Sequence, residues 1–126
     1  MTRDELIARA LRFTGAAEDY PFGDDLLTVK IGGKVFAWIP LTDTGWLGQG
    51  ARMAVKLPTY LVNELQHAYP DQVHPARPLD QRYWLAIPLE SAIPDHEITE
   101  LLALSYQQVT ARLPRKRRPN DHDQAS

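Results

Sequence analysis

Residues 18–38 read EDYPFGDDLLTVKIGGKVFAW. In Tyr20-Pro21-Phe22-Gly23, proline fixes φ and glycine admits positive φ, so the segment turns the chain. Two stretches rich in β-branched and aromatic residues follow, 26–31 and 34–41, joined by Gly32-Gly33. A two-residue Gly-Gly connection is a signature of a type I′ hairpin. Taken as the whole loop, it sets Ile31 opposite Lys34, Val29 opposite Phe36 and Leu27 opposite Trp38. Those six residues share a face that is mostly large and apolar, and this face is assigned to the core. Thr28, Lys30, Val35, Ala37 and Ile39 fall on the other face. Side chains alternate with a period of two, so a slip of one residue would exchange the two faces.

The same reading extends outward. A third strand is expected near 51–57, with Met53 and Val55 inward and Arg52, Ala54 and Lys56 outward. Upstream, Thr2 and Glu5 have the spacing of a capping box. Leu6, Ile7, Ala10 and Leu11 then form one helical stripe, giving a helix over 3–14 that stops at Gly15. Residues 42–50 form a loop with three glycines and an exposed Trp46. Pro58 opens a second helix, to residue 69. Residues 71–82 read as irregular. A strand follows at 83–89, which Pro88 places at an edge or terminates. Pro94 opens a last helix over 94–113, with Asp95 and Glu97 suited to its positive end. The fold class is therefore α+β: one domain over 1–114 with an antiparallel sheet packed against helices. Residues 115–126 are too polar to fold and are expected to form a disordered basic tail.

Composition narrows the function. At 126 residues and 44% apolar, the chain holds one core without staples. It has no cysteine, which excludes disulfides, thiolate metal sites and cysteine nucleophiles. No apolar run reaches the roughly 18 residues of a membrane span, and the expected compartment is the cytoplasm. Residues 1–113 carry 10 Lys and Arg against 14 Asp and Glu, while 114–126 carry 4 against 2. A net acidic domain argues against strong nucleic-acid binding, since phosphate affinity comes mainly from counterion release.

Among candidate sites, the cationic sheet face comes first: Lys30, Arg52 and Lys56, with Lys34 at the hairpin tip and Arg82 before the last strand. Such cations can contact phosphates without reading sequence. The ordinary alternative is a half-solvated sheet whose lysines also block edge pairing. Trp46, Tyr83 and Trp84 are candidates to stack on bases or a ligand ring, whereas Trp38 falls on the assigned core face. Thr28, Ala37, Ala54 and Ala86 are small enough to let a protein or small molecule approach that sheet face. Glu18, Asp19, Asp24 and Asp25 lack the spacing of a cation-binding loop. The histidines at 67, 74, 96 and 122 form no i,i+4 pair. No nucleophile signature or phosphate loop is present, so no catalytic residue, metal or cofactor is assigned. The run Arg115-Lys116-Arg117-Arg118 can bind an acidic partner or simply keep the tail solvated.

Several of these pieces together resemble the MmcQ/YjbR family: residues 18–23, Lys30, Gly32-Gly33-Lys34, Phe36-Ala37, Lys56, Trp84, Pro94-Asp95 and Ser105-Tyr106. The resemblance implies a CyaY-like, frataxin-like two-layer sandwich. It also implies a non-enzymatic double-stranded-DNA binder of low specificity, working through two wings. Its wing cations would be Lys30, Lys34 and Lys56, to which the sheet-face reading adds Arg52 and Arg82. The chain departs from the family pattern at Gln81-Arg82-Tyr83-Trp84, where a Lys/His-Trp sequence is usual. A protein-interaction or small-ligand module using the same face is the alternative.

Overall fold

A computed structural model describes residues 1–119. The sheet is antiparallel, as expected, and its helices pack mainly on one face. Helix α1 spans Arg3–Leu11, and its Thr2–Glu5 capping box is formed in both directions. Strand β1 (Ala17–Asp19) leads into the hairpin of β2 (Leu26–Ile31) and β3 (Lys34–Pro40). A small two-stranded flap follows, β4 (Thr44–Gly45) with β5 (Gly48–Gln49), and then β6 (Arg52–Lys56). Helix α2 (Thr59–Ala68), β7 (His74–Pro75), β8 (Trp84–Pro88) and helix α3 (Asp95–Ala111) complete the order. The six-stranded sheet runs β1-β2-β3-β6-β8-β7. Residues 71–82 are thus not wholly irregular: β7 forms a two-residue edge beside β8.

The hairpin corrects the expected register. Ile31 pairs with Lys34 and Lys30 with Val35, but Val29 then pairs with Ala37 rather than Phe36. Phe36 is the extra residue of a β-bulge, and a bulge shifts everything beyond it by one. Thr28 therefore faces Trp38, and Leu27 faces Ile39. Ala37 and Ile39, expected outside, lie in the core. Trp38, expected in the core, stands on the opposite face of the sheet. Phe36 itself stays fully buried, wedged edge-on against Phe13 and Tyr106. The inward assignment of Met53 and Val55 holds.

The bulge also interrupts the next ladder. Strands β3 and β6 pair at Ala37–Val55 and Trp38–Ala54 and no further. Continued in register, Phe36 would pair with Lys56. Instead Ser105, buried on α3, inserts its hydroxyl between them. Its Oγ donates to the Phe36 carbonyl at 2.5 Å and accepts from the Lys56 backbone N–H at 2.8 Å. Both ladder groups are satisfied, as buried backbone requires, and α3 is fastened across the gap.

At the hairpin tip, Gly32 has φ +58°, and a Cβ there would meet the Arg117 carbonyl and the Leu113 side chain at 2.7 Å. Only glycine fits both restraints. The chain beyond α3 returns over this tip as a 3₁₀ turn, Arg115–Arg117. Arg118 donates back to the carbonyls of Leu113 and Ala111, closing the negative end of α3. The rest of the tail expected to be disordered, residues 120–126, lies outside the described residues. No helix among the described residues is long and apolar enough to cross a membrane.

The bulge and its serine yield a ranking of stabilities. Ser105→Ala leaves two buried backbone groups unmatched and should cost about 1–3 kcal/mol. Phe36→Ala should cost about 3–5 kcal/mol through the cavity it opens, and Trp38→Ala less than that, because Trp38 keeps partial exposure. Chemical denaturation of the three variants checks the order. A larger loss for Trp38→Ala than for Phe36→Ala would contradict the register.

Candidate functional site

The far face of the sheet is only partly covered. Ala54 and Ala86, paired across β6 and β8, sit under Leu47 and Ala76, with Trp38, Leu79 and Trp84 packed around them. Beyond this small cluster, where the β3–β6 pairing stops, the surface opens into a concavity of about 610 Å³. Its aromatic wall is Phe22, Trp38 and Trp84; its floor includes Val35, Val109 and Leu113; its rim carries Lys30, Lys34, Lys56 and Arg112. The bulge creates this arrangement. It turns Trp38 outward and ends the ladder, so the last turns of α3 show through the gap.

Trp38 is the hub of the wall. Phe22, 69% exposed, stacks on it at 5.6 Å with 24° between the ring planes. Trp46 and Trp84 meet it edge-on at 6.0 and 6.4 Å. Its indole N–H is buried and lacks an acceptor among the described residues, an omission that ordinarily costs about 1–3 kcal/mol.

The five cations of the expected DNA face do not act as one group. Lys30 is bound to Asp19 at 2.6 Å, and this contact, with the Tyr20 amide, holds the Asp19 carboxyl below its ordinary range. Arg52 lies away from the concavity and donates to the carbonyls of Gln49 and Gln72. Arg82 grips Asp80 at 2.8 Å, drawing that carboxyl down to about 2, and lies 5.2 Å from the Tyr83 ring. Lys34 and Lys56 remain at the concavity, joined by Arg112 from the end of α3. Among the described residues none of these three forms an ion pair. The acidic turn is also partly engaged: Asp19 holds Lys30, and Glu18 accepts from the Tyr20 hydroxyl. No group of three His, Cys, Asp or Glu is placed to hold a metal ion among the described residues.

Lys56 carries the electrostatic cost of this arrangement. Burial lowers its pKa most, the positive charge of Arg112 lowers it further, Asp80 opposes, and Lys34 lowers it again. Phe22 and Arg112 were absent from the sites read in the sequence. Arg112 had a usable signal, since it continues the Ser105–Val109 stripe of α3, whereas the place of Phe22 follows only from the outward turn of Trp38.

These features define a small α+β domain with an aromatic, cationic concavity on one sheet face. The YjbR family model matches residues 11–108, and the chain belongs to that family. It is 28% identical over 120 residues to the uncharacterized protein YjbR of Escherichia coli K12, covering 94% of this chain and 95% of that protein. The crystal structure of Deinococcus radiodurans DR2400, a DUF419 domain, superposes with a TM-score of 0.81 at 24% identity, covering 92% of this chain and 84% of the other. A Pseudomonas syringae protein superposes with a TM-score of 0.71 at 19% identity, covering 86% and 98%. At these identities the structures share the fold.

The depressed Lys56 gives a titration prediction. Between its folded pKa and the ordinary 10.5, the unfolded chain holds more protons, so stability rises with pH in that window. The charged amine is a liability at neutral pH. Lys56→Gln should therefore leave stability unchanged or raise it by up to about 0.5 kcal/mol, and Arg112→Gln should move the Lys56 titration upward. NMR titration of the lysine Cε–Nζ signals measures this; a Lys56 that titrates at or above the ordinary lysine value contradicts the site's electrostatics.

Proposed function

We infer that this protein is a non-enzymatic binding module for a small planar anion, held in the concavity between Trp38 and α3. The observation that carries this is the pairing of an aromatic wall with three cations, Lys34, Lys56 and Arg112, that have no ion-pair partner among the described residues. The concavity's volume falls within the roughly 300–1,000 Å³ of small-molecule sites. An apolar wall with a few convergent charged groups is also their usual chemistry. Retaining unpaired, mutually repelling cations disfavours folding, and an anion bound among them would offset that repulsion.

Duplex DNA binding through two wings would need Lys30, Lys34, Arg52, Lys56 and Arg82 to release counterions together. Internal partners engage Lys30, Arg52 and Arg82, and the domain is net acidic. Both facts favour a small ligand over a duplex.

The test is an NMR titration at low salt with naphthalene disulfonate, a planar dianion, and with a DNA duplex. The disulfonate should shift the indole signals of Trp38 and Trp84 in a single saturable phase. Lys34→Gln and Lys56→Gln should each weaken it about tenfold, equivalent to about 1.4 kcal/mol. Tighter duplex binding, with a salt slope that drops on removing Arg52 or Arg82, would instead establish the DNA reading.

A further inference from the structure

We propose that the natural ligand of this concavity is a nucleoside monophosphate group, its base against the Phe22–Trp38 stack and its phosphate among Lys34, Lys56 and Arg112. This rests on the binding-module reading above and names the ligand class for that site.

Three features favour a phosphorylated base over a simpler aromatic acid. The first is charge. Three cations from three elements, the hairpin tip, the end of β6 and the end of α3, converge on one rim. A single carboxylate leaves most of that charge uncompensated, whereas a phosphate dianion has the charge and the acceptor oxygens to engage several donors. Burial is the main cause that lowers the Lys56 pKa, and the added repulsion from Arg112 and Lys34 is the kind of cost a dianion relieves.

The second is the wall. Phe22 stacks on Trp38 from a loop that is otherwise exposed, next to Gly23, which has positive φ and open space around its Cβ position. A base can lie on the outer face of Phe22, or take its place on Trp38, because every base has a π-face. The third is room. About 610 Å³ exceeds what one ring with one acid group fills, and Gly33, with nothing within 4 Å of its Cβ position, leaves the hairpin backbone open to the cavity.

The phosphate can belong to a free mononucleotide or to the end of a nucleic-acid strand. Isothermal titration of the full chain with adenosine monophosphate, adenosine, inorganic phosphate and naphthalene disulfonate tests the class. A short single strand with and without a terminal phosphate distinguishes the sources. The monophosphate should bind at least tenfold more tightly than adenosine or phosphate alone. Arg112→Gln and Lys56→Gln should each remove most of that margin while leaving the adenosine affinity unchanged. A phosphorylated strand that binds more tightly than the mononucleotide identifies a strand end; weaker or equal binding identifies the free nucleotide. Equal binding of adenosine and its monophosphate overturns the proposal. So does binding of the disulfonate without the monophosphate, which leaves the binding-module reading intact. If neither binds, both readings fall.

Discussion

One hydroxyl holds the two halves of this domain in their working relation. Ser105 sits where Phe36 and Lys56 would otherwise pair, and it satisfies both of them from α3. Because the contact is buried and joins residues 69 positions apart, it fixes how the hairpin, β6 and the long helix meet. The aromatic cluster of Phe13, Phe36 and Tyr106 packs around the same point. Tyr106 adds a hydrogen bond to the Thr14 carbonyl at 2.7 Å, bringing in the end of α1. A sheet that simply continued its ladder here would be flatter and closed, and α3 would be hidden behind it.

The opening beside the interrupted ladder is where polar and apolar demands conflict. The last turns of α3 contribute Val109 and Leu113 as well as Arg112, and β6 ends in a lysine that is partly withdrawn from water. Three side-chain cations have found carboxylate partners: Lys30 with Asp19, Arg82 with Asp80, Arg3 with Asp43. At the concavity Lys34, Lys56 and Arg112 meet without an ion-pair partner among the described residues. Titratable groups held in unfavourable surroundings inside a cleft are a recognised mark of functional sites.

Much of the architecture could be read from local chemistry. The capping box, the Gly-Gly turn, Pro58, Pro94 and the helical stripe of α3 each act through neighbours a few residues away, so the residues themselves disclose them. The face of Trp38 could not be read in this way. Its orientation depends on a single extra residue, Phe36, whose accommodation is decided by Phe13, Tyr106 and Ser105 from distant elements. Alternation counted from Gly32-Gly33 holds along β2 to Leu27 but is inverted on β3 beyond Phe36. The cations were easy to find by type, but whether each is engaged depends on long-range partners such as Asp19 and the Gln72 carbonyl. Spacing therefore suggested a broad cationic face, whereas the folded chain leaves Lys34, Lys56 and Arg112 as a compact group beside the tryptophans.

The central claim is that the bulge, the inserted serine and the outward tryptophan together build an anion-binding concavity. A crystal structure of the full chain grown with adenosine monophosphate tests it most directly. The account predicts density for the ring against Trp38 or Phe22, with the phosphate within hydrogen-bonding reach of Lys56 and Arg112 and the Ser105 bridge intact. Ligand bound elsewhere on the surface with this concavity filled only by water, or a Trp38 side chain buried on the helical side of the sheet, would contradict it.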